Sequence, residues 1–225
     1  FAGLTPVPGP DVDAPVAEPA QNAVEVIRDS AVRLTGSASA CETIVTGSGF
    51  AIEPDLIVTN AHVVAGVEDL AVRVRPQQSS QRATVVYFDP DVDIALVRTQ
   101  KLQARPVSLA RTSLESQDPA VVAGFPRGER FEAASVRVRT RVNARGESIY
   151  GETGVERDVY VLRGSVEQGM SGGALTDEFG EVFGMVFASG FEDQATAYAL
   201  TVDEVRAAID AAGDADTRVA NGSCE

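Results

Sequence analysis

The sequence predicts an all-β protein: an antiparallel sandwich or barrel architecture in two six-stranded halves, closed by one C-terminal helix. Three observations lead there. From Ala31 the chain breaks into about eleven short apolar–polar alternations, spaced at roughly 8–15 residues and separated by turn residues. Between them no stretch carries the 3.6-residue apolar period of an amphipathic helix. Near the end, Val202 to Ala212 does carry it, with Val202, Val205, Ala208 and Ile209 on one stripe and Gly213 behind to stop the helix.

In order along the chain, residues 1–22 read as a stiff, extended linker, because five prolines interrupt the first 21 residues and no apolar period survives among them. Asn22 is placed to cap a short helix through Arg28, with Ala23, Val26 and Ile27 on one face. The strand-like runs are AVRLTGSA, TIVTGSGFAI, LIVTNAHVV, LAVRVR, ATVVYF and DIALVRT, then AVVAGF, ASVRVRTRV, VYVLRG, EVFGMVFA and TAYALT. They divide into halves of about 30–110 and 115–201, ahead of the helix at 202–212, so residues 23–225 form the folded unit.

At 225 residues with 44% hydrophobic residues, the chain can bury a substantial core. Its net charge of −14 argues against nucleic acid or an anionic membrane surface as partner. No run approaches 18 uninterrupted apolar residues, so no segment of the sequence reads as a membrane span. The chain opens on Phe1 without Met, which suggests a piece of something longer. The two cysteines, Cys41 and Cys224, are either unrelated thiols or a bridge pinning the tail to the body, and a bridge implies an oxidising compartment. No metal-ligand cluster, phosphate loop or nucleotide motif is present, so no cofactor is expected. Asn221-Gly222-Ser223 matches a glycosylation acceptor, which we read as accidental.

Chemistry concentrates in Gly169-Met170-Ser171-Gly172-Gly173. A serine hydroxyl is a weak nucleophile until a base takes its proton and donors hold the resulting oxyanion. His62, the one histidine, sits in Thr59-Asn60-Ala61-His62-Val63-Val64, at the end of a strand where its ring can project. Three acids compete to orient it: Asp89, Asp91 and Asp93. Asp93 abuts the apolar run Ile94-Ala95-Leu96-Val97 and can be partly buried against the imidazole, so it is assigned, with Asp91 as the alternative. The G-x-S-x-G pattern also fits a nucleophile elbow, but that needs a helix after the serine and a histidine later in the chain, and both conditions fail.

The motifs TNAHVV, DIALV and GMSGGAL, in that order, resemble the chymotrypsin-like serine proteases, nearest to the HtrA-type and other bacterial branches, over roughly residues 24–212. That resemblance implies two perpendicular six-stranded β-barrels with the site between them, then a C-terminal helix. It implies that His62 is the general base, Asp93 its partner and Ser171 the nucleophile, with the N–H groups of Gly169 and Ser171 as oxyanion hole. The Pro-rich start, the cysteine pair and the lack of a PDZ segment are most similar to membrane-anchored actinobacterial proteases. Similarity to these implies a Cys41–Cys224 disulfide, a periplasmic domain tethered through an N-terminal membrane portion, and processing of cell-envelope proteins in acid or oxidative stress. Met170 stands where many secreted members carry an aspartate that pairs with a new N-terminus, so activation by that ion pair is not expected.

Ser165 is expected at the base of the specificity pocket, Phe187, Ala188 and Ser189 along one wall, and Thr196 with Ala197 opposite. None is charged, which predicts a medium apolar residue before the scissile bond. Because an imidazole must be neutral to accept a proton, hydrolysis is expected to fall below about pH 6. The competing functional readings are a latent protease-fold binding module and an esterase using the same three residues.

Overall fold

Period-two alternation puts every second side chain of a strand on one face, and in the computed structural model those faces curl into two closed barrels. The structure describes residues 9–74, 78–100, 102, 104–190 and 195–224; the first eight residues of the Pro-rich segment and Arg75 of the LAVRVR run lie outside the described residues. The first barrel comprises β1 (Ala31–Ala38), β2 (Thr43–Ala51), β3 (Leu56–Thr59), β4 (Asp69–Arg73), β5 (Gln81–Asp89) and β6 (Ile94–Thr99), in the order β1-β2-β3-β6-β5-β4. Pairing of Leu34 with Val72 closes it. The second comprises β7 (Pro119–Gly124), β8 (Glu132–Glu147), β9 (Thr153–Arg163), β10 (Ala174–Thr176), β11 (Val182–Ser189) and β12 (Thr196–Thr201), in the order β10-β11-β12-β9-β8-β7. Here Leu175 opposite Val122 makes the closure. All of these pairings are antiparallel, as the sequence predicts.

Each barrel has its own apolar filling, with Val32, Leu34, Ile57 and Val97 in the first and Val122, Val138, Leu162 and Leu175 in the second. A third cluster joins them: Phe50, Ile94 and Leu96 meet Val161, Met185 and Phe187, with Ile27 and Val205 at its margins. The barrels are therefore held together by a core of their own.

Helix α1 spans Gln21–Arg28 and buries Ala23, Val24 and Ile27. Its N-cap is Ala20, with no side-chain cap bond, so Asn22 lies in the first turn and is not the cap expected from the sequence. The one-turn helix α2, Ala61–Val64, follows β3. Helix α3 runs Val202–Ala212, the predicted span, and Gly213 ends it with φ 53° and an N–H bond to the Ile209 carbonyl. Strands β8 and β9 are longer than their apolar runs, because pairing continues through charged residues out to Glu147 opposite Thr153. Among the described residues, no helix is long and apolar enough to cross a membrane.

Two terminal segments strap the body. Residues around Val12, itself 4% exposed, lie on the second barrel, where Arg163 donates to the Val12 carbonyl and Asp11 and Arg139 to the Pro10 carbonyl. A proline-rich composition announces an extended chain but not this docking. The C-terminal tail returns to the first barrel. Asn221 Nδ2 donates to the carbonyls of Val64 (2.6 Å) and Val67 (2.9 Å), and Cys224 is bonded to Cys41. The Asn221 amide is thus spent on capping the chain after α2, which agrees with reading its sequon as accidental.

Candidate active site

The mouth between the barrels is built by three turns. β3 ends at Thr59, and Asn60 passes the chain into α2, so His62 leaves the end of a strand. Its position is fixed from the β5–β6 turn. Asp93 is 0% exposed; one carboxylate oxygen accepts the His62 backbone N–H at 2.9 Å and the other lies 2.8 Å from Nδ1. A buried carboxylate accepts at both oxygens here, so Nδ1 carries the proton and Nε2 is the basic nitrogen of the ring. The turn is tied down locally. The Asp89 carboxylate accepts the N–H groups of Asp91 and Val92, its carbonyl accepts that of Asp93, and Asn60 Nδ2 donates to the Asp93 carbonyl. Asp93 itself adopts φ 70°, a left-handed conformation that aspartate tolerates better than most residues. Asp91, the alternative partner, is exposed.

Ser171 sits in the loop between β9 and β10. Gly169 has φ 95°, and a Cβ there would stand 2.6 Å from the Arg127 nitrogen, so only glycine makes this turn. The Gln168 carbonyl accepts the Arg127 N–H at 2.7 Å, and across the trans peptide the Gly169 N–H points to the opposite side. Among the described residues, neither the Gly169 nor the Ser171 N–H is spent on a backbone carbonyl. Two donors beside a hydroxyl are what an oxyanion needs. His62, Gln168, Gly169 and Ser171 line one cleft of about 580 Å³, whose far rim is Arg127, Ile44 and the Cys41–Cys224 bridge.

Sequence reasoning missed the residue that joins these turns. Ser48 on β2 is fully buried; its Oγ donates to the Gly169 carbonyl (2.7 Å) and accepts the Phe125 N–H (2.8 Å), and its N–H bonds the Ser171 carbonyl (2.8 Å). Thr59 Oγ1 in turn donates to the Ser48 carbonyl at 2.7 Å. The packing is tight enough that a Cβ on Gly172 would lie 2.0 Å from that carbonyl. One signal was available: alternation along TGSGF puts Ser48 on the same face as Phe50, which looks toward the other barrel.

Of the expected pocket residues, Ser165, Ser189 and Thr196 gather at one end of the β9–β12–β11 sheet. Thr196 is opposite Arg163 and Ala197 opposite Ser189, and Gly164 bonds the Ala195 carbonyl. Ser165 and Ser189 are exposed, and Ala188 is half-buried. Phe187 departs from the expectation. Its ring is 1% exposed in the inter-barrel core, because alternation along β11 puts it on the face of Met185. It can border a pocket through its backbone only.

A family model described as a trypsin-like peptidase domain matches residues 47–185. The serine protease Rv3671c of Mycobacterium tuberculosis is 38% identical over 222 residues, covering 98% of this chain and 54% of that protein. This chain therefore spans about half the length of that relative. The crystal structure of the Rv3671c protease in its active form matches with a TM-score of 0.90 at 36% identity, covering 98% of this chain and 96% of that one. A structure of the same M. tuberculosis protease in an inactive form gives 0.78 at 36% identity, over 90% and 99%.

Proposed function

Because this chain belongs to the trypsin-like peptidase family, we propose that it is a serine endopeptidase in which Ser171 is the nucleophile, His62 the general base and Asp93 the group that orients and charges the base. The observation that carries this reading is the pair of hydrogen bonds that the backbone and ring N–H groups of His62 donate to one buried carboxylate, with His62 and Ser171 lining one cleft. In the reaction, Ser171 Oγ attacks the scissile carbonyl as its proton passes to His62 Nε2. Asp93 stabilises the imidazolium across Nδ1, and the N–H groups of Gly169 and Ser171 receive the oxyanion. His62 then gives its proton to the leaving amine, and water repeats the sequence on the acyl-enzyme. Each oxyanion donor contributes about 10²–10³ in rate.

The greater likeness to the active than to the inactive form of the mycobacterial protease supports a cleft ready for substrate. The bridged cysteines suit an oxidising compartment, and extracytoplasmic action on cell-envelope proteins under acid or oxidative stress is the setting we assign. With Ser165, Ser189 and Thr196 uncharged at the neighbouring sheet end, the residue before the cleaved bond is a medium apolar one. Casein and a short ester, each offered to wild type and Ser171→Ala, test the reading. We expect casein cleavage that the variant abolishes; ester turnover with intact casein makes it an esterase, and no turnover of either makes it a binding module. A peptide library whose cleaved members carry Lys or Arg before the bond would refute the apolar preference.

A further inference from the structure

Arg157 is the buried charge that this mechanism leaves unused. It lies on β9 of the second barrel, 0% exposed, among the largest fully enclosed side chains. Register explains how it got there: Arg157 pairs with Ala144 and shares with Val159 and Val161 the face of β9 that meets the other barrel. Enclosing a guanidinium is expensive unless its donors are met. Its Nε is shared between the carbonyls of Asp91 (2.8 Å) and Val92 (3.2 Å), and one terminal nitrogen donates to the Glu147 carbonyl at 2.7 Å. The first two carbonyls belong to the turn that presents Asp93, on the other barrel. The third belongs to the end of β8.

The hairpin beyond Glu147 follows the same direction. Ile149 is 4% exposed against Ala61 and Ala65, which flank His62, and its N–H bonds the Pro90 carbonyl at 3.0 Å. Burial pushes the Arg157 guanidinium below the ordinary arginine range, while Asp93, Asp91, Asp89 and Glu204 pull it back. Arginine remains a cation throughout. The carboxylates around it are therefore those three aspartates of the turn and Glu204 on α3, with the His62 ring bonded to Asp93; the Phe187 ring centroid lies 5.9 Å from the guanidinium carbon.

We propose that Arg157 is the positioning residue of the catalytic pair: from the second barrel it fixes the Asp91–Asp93 turn through the Asp91 and Val92 carbonyls and sets a buried cation beside that turn. This rests on the assignment of Asp93 and His62 given above. It follows that the geometry of the acid and base depends on how the barrels dock, although both groups come from the first barrel.

A cation beside the pair opposes its protonation, so removing the cation raises the proton affinity of the coupled pair and moves the acid limb of the rate profile upward. The test measures kcat, KM and the pH profile of kcat/KM for Arg157→Met and Arg157→Lys, with rates divided by the number of sites titrated by a fluorophosphonate. Arg157→Met should lose about ten- to a hundredfold in kcat, less than the ~10⁴ cost of replacing the triad carboxylate, with KM within about twofold. Its acid limb should rise by on the order of half a pH unit or more. Arg157→Lys keeps the charge and loses the planar fork, so its limb should stay put while kcat falls. Should the Met variant not fold, the Lys variant decides alone, and wild-type kcat per titrated site in it overturns the proposal. A Met variant with lowered melting temperature but unmoved kcat and limb would make Arg157 a fold brace only. An inactive wild type, or full activity in Ser171→Ala, would instead defeat the protease reading itself.

Discussion

Replacing Ser48 by alanine removes one oxygen from a buried junction of three segments. That oxygen satisfies two backbone groups, the Gly169 carbonyl and the Phe125 N–H, at 2.7 and 2.8 Å. Each is left unpaired where water does not reach, at about 1–3 kcal/mol apiece, so Ser48→Ala should lose about 2–6 kcal/mol in denaturant unfolding. The Gly169 carbonyl also loses the anchor that orients the loop carrying both oxyanion donors. Disordering a donor costs less than deleting one, so we expect kcat per titrated site to fall about ten- to a hundredfold, short of the 10²–10³ of outright loss. Thr59→Val is the matched control. It breaks the bond to the Ser48 carbonyl, costs about 1 kcal/mol, and leaves the loop's own contacts in place, so kcat should hold. Equal kcat in Ser48→Ala and wild type, at whatever stability, would refute the link between this junction and the oxyanion loop.

Reducing the Cys41–Cys224 bridge, or replacing both cysteines by serine, should destabilise the fold strongly. The bridge spans a sequence separation of 183, a loop worth about 5 kcal/mol in the chain-entropy model, and thermal unfolding with and without reductant measures it. Glu204 is pushed up from the ordinary carboxyl range, first by burial and then by Asp158 and Asp89 against the opposing Asp158 N–H bond. The fold thus favours its protonated form, and that stability is present in acid and lost as pH rises through the raised value. Glu204→Gln keeps the acceptor for the Asp158 N–H (2.8 Å) without the charge, so its unfolding midpoint should exceed wild type near neutrality and converge on it in acid. The opposite ordering would count against it.

Most strands and the final helix were legible because they express strong periodicity: eleven alternating runs, then Val202, Val205 and Ala208 at helical spacing. Even so, β10 is only three residues long and has no alternation to display. The three side chains proposed to react stood out because each occupies an odd local setting: a lone histidine after a strand, an acid at the mouth of an apolar run, a serine among glycines. The residues that hold them did not. Ser48 reads as a turn serine between two glycines, and its partners lie 77 and 121 positions away. Arg157 reads as one more charge in Glu156-Arg157-Asp158, although the same period that puts Val159 and Val161 on one face puts Arg157 with them. Alternation could have singled out both; what they bond depends on how two barrels dock, which no local pattern encodes.

The central claim is that Ser171 is made nucleophilic by His62 held on Asp93. The most direct measurement is the rate of covalent labelling by a fluorophosphonate, with the adduct located by peptide mass. A single adduct is expected on Ser171, absent in Ser171→Ala, and slowed by orders of magnitude in His62→Gln and Asp93→Asn. Labelling at another residue, or an undiminished rate in Asp93→Asn, would contradict it.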